Sequence, residues 1–168
     1  MQSPEQDPDA TRVAVDGSPE AALRDAQAVA ERAAADAEIA DARRAELRIA
    51  PLAPIEPDRI VRSHLFPGEQ VYAVRRSAIL GAPGAGTGLG YGGTLYLTSR
   101  RLLHLGQVVV SVQLSDIVEV SQAGERLLLS LREGEGFSLD LDLPRALRTE
   151  LAAALHQLPA NGAGHPDR

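Results

Sequence analysis

The sequence has no cysteine, no lysine and no tryptophan, and only two Phe and three Tyr among its 168 residues. Without cysteine there is no disulfide framework, no thiolate nucleophile and no Cys-ligated zinc. An aromatic content of 3% leaves the core to Leu, Val, Ile and Ala, and it removes the stacking platforms that single-stranded nucleic acid needs. Long apolar runs are missing too. Stretches such as Val108–Val110 and Leu127–Leu129 are typical, far short of the ~20 residues that cross a bilayer. Met1–Ala10 carries neither the basic flank nor the apolar stretch of a secretory signal. These absences predict a soluble, cytoplasmic chain, with peripheral contact at the inner face of the membrane as the variant reading.

What is present is acidic. The 17 basic residues are all arginine and face 23 acids, a formal charge of −6, which repels nucleic acid and anionic membrane unless the arginines cluster. The length fits one compact domain with appendages and excludes a multidomain enzyme. Residues 1–64 hold 8 Arg against 13 acids, whereas residues 65–158 hold 8 against 9, so the acidity belongs to the N-terminal third.

Residues 1–17 are expected to be disordered. Ser18 then offers an N-cap oxygen and Pro19 a first-turn residue with no N–H to leave unpaired, and the Ala-, Arg- and Glu-rich run predicts a helix over 18–49. Its seam of Ala26, Ala30, Ala33, Ala37, Ala40 and Leu47 follows coiled-coil spacing but is nearly all methyl groups, and Arg44 interrupts it. A solvated helix is the first reading, and docking or self-association through the seam the second. Pro51, Pro54 and Pro57 predict an extended linker over 50–64, a rigid spacer rather than a ligand for a polyproline-binding domain.

From Glu69 the hydrophobic period changes to two. Val71 and Ala73, Leu95 and Leu97, Leu103 and Leu105, Val108 to Leu114, Ile117 to Ser121, Leu127 to Leu131, and Phe137 to Leu141 mark about seven strands joined by short turns, the cadence of an antiparallel meander. Leu143, Leu147, Leu151 and Leu155 then line one side of a terminal helix that begins at Asp142-Leu143-Pro144, with Asp142 as the expected cap. Residues 159–168 are read as a disordered tail.

Three strings within residues 65–158, Leu65-Phe66-Pro67-Gly68-Glu69-Gln70-Val71, Gly93-Thr94-Leu95-Tyr96-Leu97-Thr98-Ser99-Arg100-Arg101-Leu102-Leu103 and Gln113-Leu114-Ser115-Asp116-Ile117, resemble bacterial pleckstrin-homology-like and GRAM domains. The resemblance implies a mainly β fold with α: a seven-stranded bent antiparallel barrel capped by one C-terminal helix, here preceded by the Ala-rich helix. It implies a binding module and names no ligand.

Chemistry-bearing motifs are few. Gly88-x-Gly90-x-x-Gly93 spells a dinucleotide fingerprint, but the residues that follow it form a strand rather than a helix N-terminus, so a flexible hairpin loop is expected. His64, His104, His156 and His165 show no ligand spacing, and His104, between Leu103 and Leu105, is expected to face solvent. No catalytic constellation, metal site or cofactor site is expected, and neither is nucleic-acid binding. The cationic candidates for anion or lipid contact are Arg75, Arg76, Arg100 and Arg101. Adjacent strand residues point to opposite faces, so neither pair can grip one anion. The resemblance places a phospholipid headgroup between the loops after strands one and three, here 77–93 and 106–107, which contain no cation. A protein partner is therefore expected, with weakly selective lipid binding as the alternative.

Overall fold

In the computed structural model, described over residues 18–158, the chain divides into two compact units, residues 1–32 and 33–168. The expectations for 1–17 and 159–168 lie outside the described residues. The elements are α1 (Pro19–Leu47), α2 (Arg59–Arg62), β1 (Val71–Gly81), β2 (Tyr91–Thr98), β3 (Arg101–Gly106), β4 (Val109–Gln113), β5 (Ile117–Ala123), β6 (Arg126–Leu131), β7 (Phe137–Asp140) and α3 (Pro144–His156).

The first unit contributes the start of α1. Ser18 caps it as expected, its hydroxyl accepting from the Ala21 N–H at 3.2 Å, and Leu23 and Val29 are exposed. Ala26 and Ala30 of the seam are exposed as well.

In the second unit the strands form one antiparallel sheet in the order β4-β3-β2-β1-β7-β6-β5. The fold class is the expected one, seven bent antiparallel strands with a C-terminal helix and an N-terminal helix. Among the described residues the ladder does not close, since β4 and β5 each pair on one side only. The eleven-residue β1 joins the halves, pairing with β2 along its length and with β7 at Ile79–Gly81. The main core lies between the sheet and α3, where Leu147 and Leu151 are buried against Leu95, Leu97, Leu127 and Leu139.

The linker expectation is corrected. Segment 50–64 is packed: Leu52 belongs to the main core, Ile55 bridges to Val71, and Val61 is fully buried in a second cluster with Val71, Tyr96, Leu103 and Leu105. Asp58 caps α2 through the Ile60 and Val61 N–H groups and accepts the Tyr96 hydroxyl at 2.9 Å. Burial and the Asp58 carboxylate push the Tyr96 phenol up to about 12.

This second cluster also corrects His104. Because α2 and its flanks cover the outer face of β2 and β3, Leu103 and Leu105 pack there, and the alternation turns His104 inward, where it is 1% exposed. Its ring nitrogens lie 3.2 Å from the Val108 carbonyl and 3.3 Å from that of Ala78. Gly93 makes room for the ring, since a Cβ there would sit 2.7 Å from His104 Cε1.

The cap of α3 is likewise not Asp142. Leu143 takes the N-cap position at φ 59° with no side-chain cap of its own. The Asp36 carboxylate of α1 supplies it, accepting the Arg145 N–H at 2.8 Å and the Ala146 N–H at 3.1 Å. Asp36 is itself buried, as is Ala40 one turn on. On the half of α1 that bears Asp36, the seam residue Ala40 is buried and Leu47 packs against the main core.

Two expected outcomes follow. Deleting residues 1–32 leaves a cooperative urea transition, while deleting 1–57, which also removes Asp36, Arg43 and Leu52, lowers the midpoint sharply; equal midpoints would separate α1 from the folded core. Leu151→Ala costs about 2–5 kcal/mol in the same assay as a buried leucine truncation.

Candidate functional site

Arginine is the only cation the side chains of this sequence hold permanently, so the placement of its guanidinium groups decides where an anion could bind. The buried ones meet carboxylates. Arg101 opens β3, and it grips Glu69 in two places, Nε to Oε1 at 2.9 Å and Nη2 to Oε2 at 3.0 Å. Thr98 donates its hydroxyl to the same Oε1 at 2.6 Å, and the Phe66 N–H donates to Oε2 at 2.9 Å. The Phe66 ring stacks under the guanidinium at 4.1 Å. Glu69, Thr98 and Arg101 come from the strings that carry the family resemblance, and the structure joins them in one buried lock. Burial pushes the Glu69 carboxyl up, and the Arg101, Phe66 and Thr98 hydrogen bonds outweigh it, leaving it below its ordinary range.

Arg75 is held by Glu150 of α3 at 2.7 Å, and Arg43 of α1 reaches the other oxygen of that carboxylate at 3.3 Å. Arg76 and Arg100 are exposed, and Arg100 donates to the Pro67 carbonyl at 3.4 Å. Of the four candidates, two are therefore paired internally and two face solvent.

The glycine-rich segment is shorter than the sequence suggested, because β1 runs to Gly81 and β2 starts at Tyr91. It is also tied down. Gly88 N–H donates to Asp140 at 2.6 Å, and Arg126 joins Asp140 to the loop by bonding both the carboxylate and the Ala85 carbonyl. The N–H that a phosphate would need at Gly88 is already taken. Burial raises the Asp140 carboxyl, and Arg126 and Gly88 more than compensate, so it too lies below the ordinary range.

Two adjoining concavities remain, neither of them visible in the sequence. One is a cleft of about 1130 Å³ with walls from the end of α1 (Arg44, Arg48), the outer face of α3 (Arg145, Arg148, His156) and the β5–β6 turn (Gln122, Gly124). Its floor includes Leu47, Pro51, Ala152 and Ala153. Beside it a groove of about 230 Å³ runs between β5 and α3, lined by Ile117, Val118, Glu119, Val120 and Leu155, with Arg148 and Ala152 belonging to both. The only local signal for the cleft is helical spacing: Arg44 with Arg48, and Arg145, Arg148, Ala152 and His156 down one side of α3. Among the described residues no group of His, Asp or Glu is arranged to hold a metal ion, and no helix is long and apolar enough to cross a membrane.

No family model matches the sequence, and no curated protein is detectably similar to it. Among solved structures, the Vps36 N-terminal PH domain is similar at 20% identity and a TM-score of 0.46, covering 55% of this chain and 83% of that one. The C-terminal domain of an unknown protein from Leishmania infantum is similar at 12% identity and a TM-score of 0.45, covering 54% and 88%. The strand order and terminal helix described above make the fold pleckstrin-homology-like.

The Glu69 lock has a pH signature. Its folded pKa lies below the ordinary value of 4.5, so the stability it contributes is complete above that pH and is lost as pH falls through the folded value. Urea unfolding between pH 3 and 7 is expected to show a steep acid limb that Glu69→Gln flattens. At pH 7 the same change costs about 3–5 kcal/mol, because it leaves a buried guanidinium without its counter-charge.

Proposed function

We infer that the chain is a non-enzymatic, GRAM-like binding module of a bacterial cytoplasm that works mainly by protein–protein interaction, adding an extended segment of a partner to the free edge of β5. The observation that carries this reading is the edge itself. β5 ends the sheet order and pairs only with β6, so the outer backbone groups of Glu119–Ala123 are available to a further strand. Beside that edge lies the β5–α3 groove, with Val118 64% exposed at its rim. Val118 is the extra residue where the β5–β6 register shifts between Ile117 and Glu119, a bulge that turns a side chain out of the ladder. Main-chain bonds to the edge supply affinity, and the groove reads alternate side chains.

Lipid binding is the competing reading, and it would fall to Arg76 and Arg100, the exposed members of the four candidates. It has less support, because the loop between β1 and β2 carries no cation and Arg75 and Arg101 are held by carboxylates.

The test selects random twelve-residue peptides on the full chain and measures hydrogen exchange in the complexes. Enriched peptides are expected to alternate apolar and polar residues, to slow exchange at 119–123, and to bind at least tenfold more weakly to Val118→Asp, an exposed change that leaves the fold intact. Failure to enrich any peptide, together with co-sedimentation on anionic vesicles that Arg76→Ala and Arg100→Ala abolish, would replace this reading with the lipid one.

A further inference from the structure

We propose that the cleft between α1 and α3 is a second recognition site, for a short acidic segment of the partner polypeptide that carries apolar residues between its carboxylates. The inference rests on the chain being a protein-binding module, but not on which sheet edge is used.

The first argument is electrostatic. The chain carries a charge of −6, yet none of the residues lining this cleft is Asp or Glu, and four are Arg. Arg44 has Asp41 as a partner. Arg48, Arg145 and Arg148 have no carboxylate partner among the described residues, unlike Arg43, Arg75, Arg101 and Arg126. Unneutralised guanidinium groups gathered around one concavity repel each other and are stabilised by an anion that enters it.

The second argument is shape. The cations come from two elements, Arg44 and Arg48 from the end of α1 and Arg145 and Arg148 from α3, and they line one concavity, a shape that a flat bilayer surface does not fill. A volume of about 1130 Å³ has room for several side chains of a polypeptide segment. A phosphate cluster would leave the floor of Leu47, Pro51, Ala152 and Ala153 uncovered. An extended nucleic acid would meet the net negative field of the rest of the chain. A peptide with carboxylates for the walls and aliphatic side chains for the floor satisfies both surfaces at once.

The third argument is continuity. Arg148 and Ala152 line the cleft and the β5–α3 groove alike, so the two concavities adjoin and one polypeptide segment can occupy both.

The experiment compares random twelve-residue peptides selected on the full chain with those selected on the triple variant Arg48→Glu/Arg145→Glu/Arg148→Glu. All three side chains are exposed, and an unchanged melting curve checks that the variant folds. The full chain is expected to enrich Asp and Glu interspersed with Leu, Ile or Val. Binding of those peptides should weaken at least tenfold in the variant and weaken as salt rises from 50 to about 300 mM. Tripolyphosphate and phosphatidylserine vesicles serve as parallel probes. No acidic enrichment, or enrichment that the variant retains, overturns the proposal. So does arginine-dependent binding of tripolyphosphate or vesicles that exceeds peptide binding. Acidic peptides with interspersed aliphatic residues that bind through the arginines but ignore Val118→Asp would sustain this site while removing the β5 reading.

Discussion

Glu150 is the point at which α1, α3 and β1 are held together. Its carboxylate, on the buried side of α3, takes Arg43 from one neighbour and Arg75 from the other. Two guanidinium groups around one buried carboxylate leave an excess positive charge, tolerable only because Arg43 also reaches Glu46 at 2.7 Å near the surface. With Asp36 capping the first turn of α3, this arrangement fixes the angle at which α1 meets α3. The walls of the arginine cleft are the outer sides of those same two helices. Without these polar contacts, residues 33–47 of α1 would be held by a thin apolar seam in which Ala40 is buried and Leu47 meets the core.

The polar interior is thus organised by arginine meeting carboxylate, three times over. Glu69–Arg101 closes the start of β1 against β3, Asp140–Arg126 ties the glycine-rich loop to β6 and β7, and Glu150–Arg75 joins sheet to helix. Each pair spans a long stretch of sequence, and each sits where a planar fork can satisfy two acceptors. In a core almost without aromatic rings, these pairs set the register that packing of similar aliphatic side chains would leave loosely specified.

Much of the fold was legible because it is written in period. Alternating apolar residues marked most strands of the sheet, with Ile117 to Ser121 added to reach seven, and leucines four residues apart marked α3. What failed had a common cause in coverage from outside. His104 was placed on the solvent side because alternation distinguishes two faces but not which is covered, and here α2 covers the outer one. The proline-spaced segment looked like a spacer because Leu52 and Val61 are isolated apolar residues with no period of their own. Asp142 looked like the cap of α3 because the true one, Asp36, lies on another helix. The cleft was illegible for the same reason: residues 44–51, 122–124 and 145–157 meet only once the chain has folded. Adjacency in sequence separated the members of each pair, Arg75 and Arg101 going to carboxylates and Arg76 and Arg100 to solvent, while the arginines of the cleft lie at helical spacing.

The arginine lining also fixes how the cleft behaves over time. A guanidinium stays protonated at every pH a cell reaches, and a sequence without lysine offers the cleft no ε-amine to acylate or methylate. Apart from His156, the positive walls are a permanent property of the surface. A switch on the proposed occupancy would act on the charge of what enters, on the salt around it, or on Thr149, the hydroxyl among the lining residues.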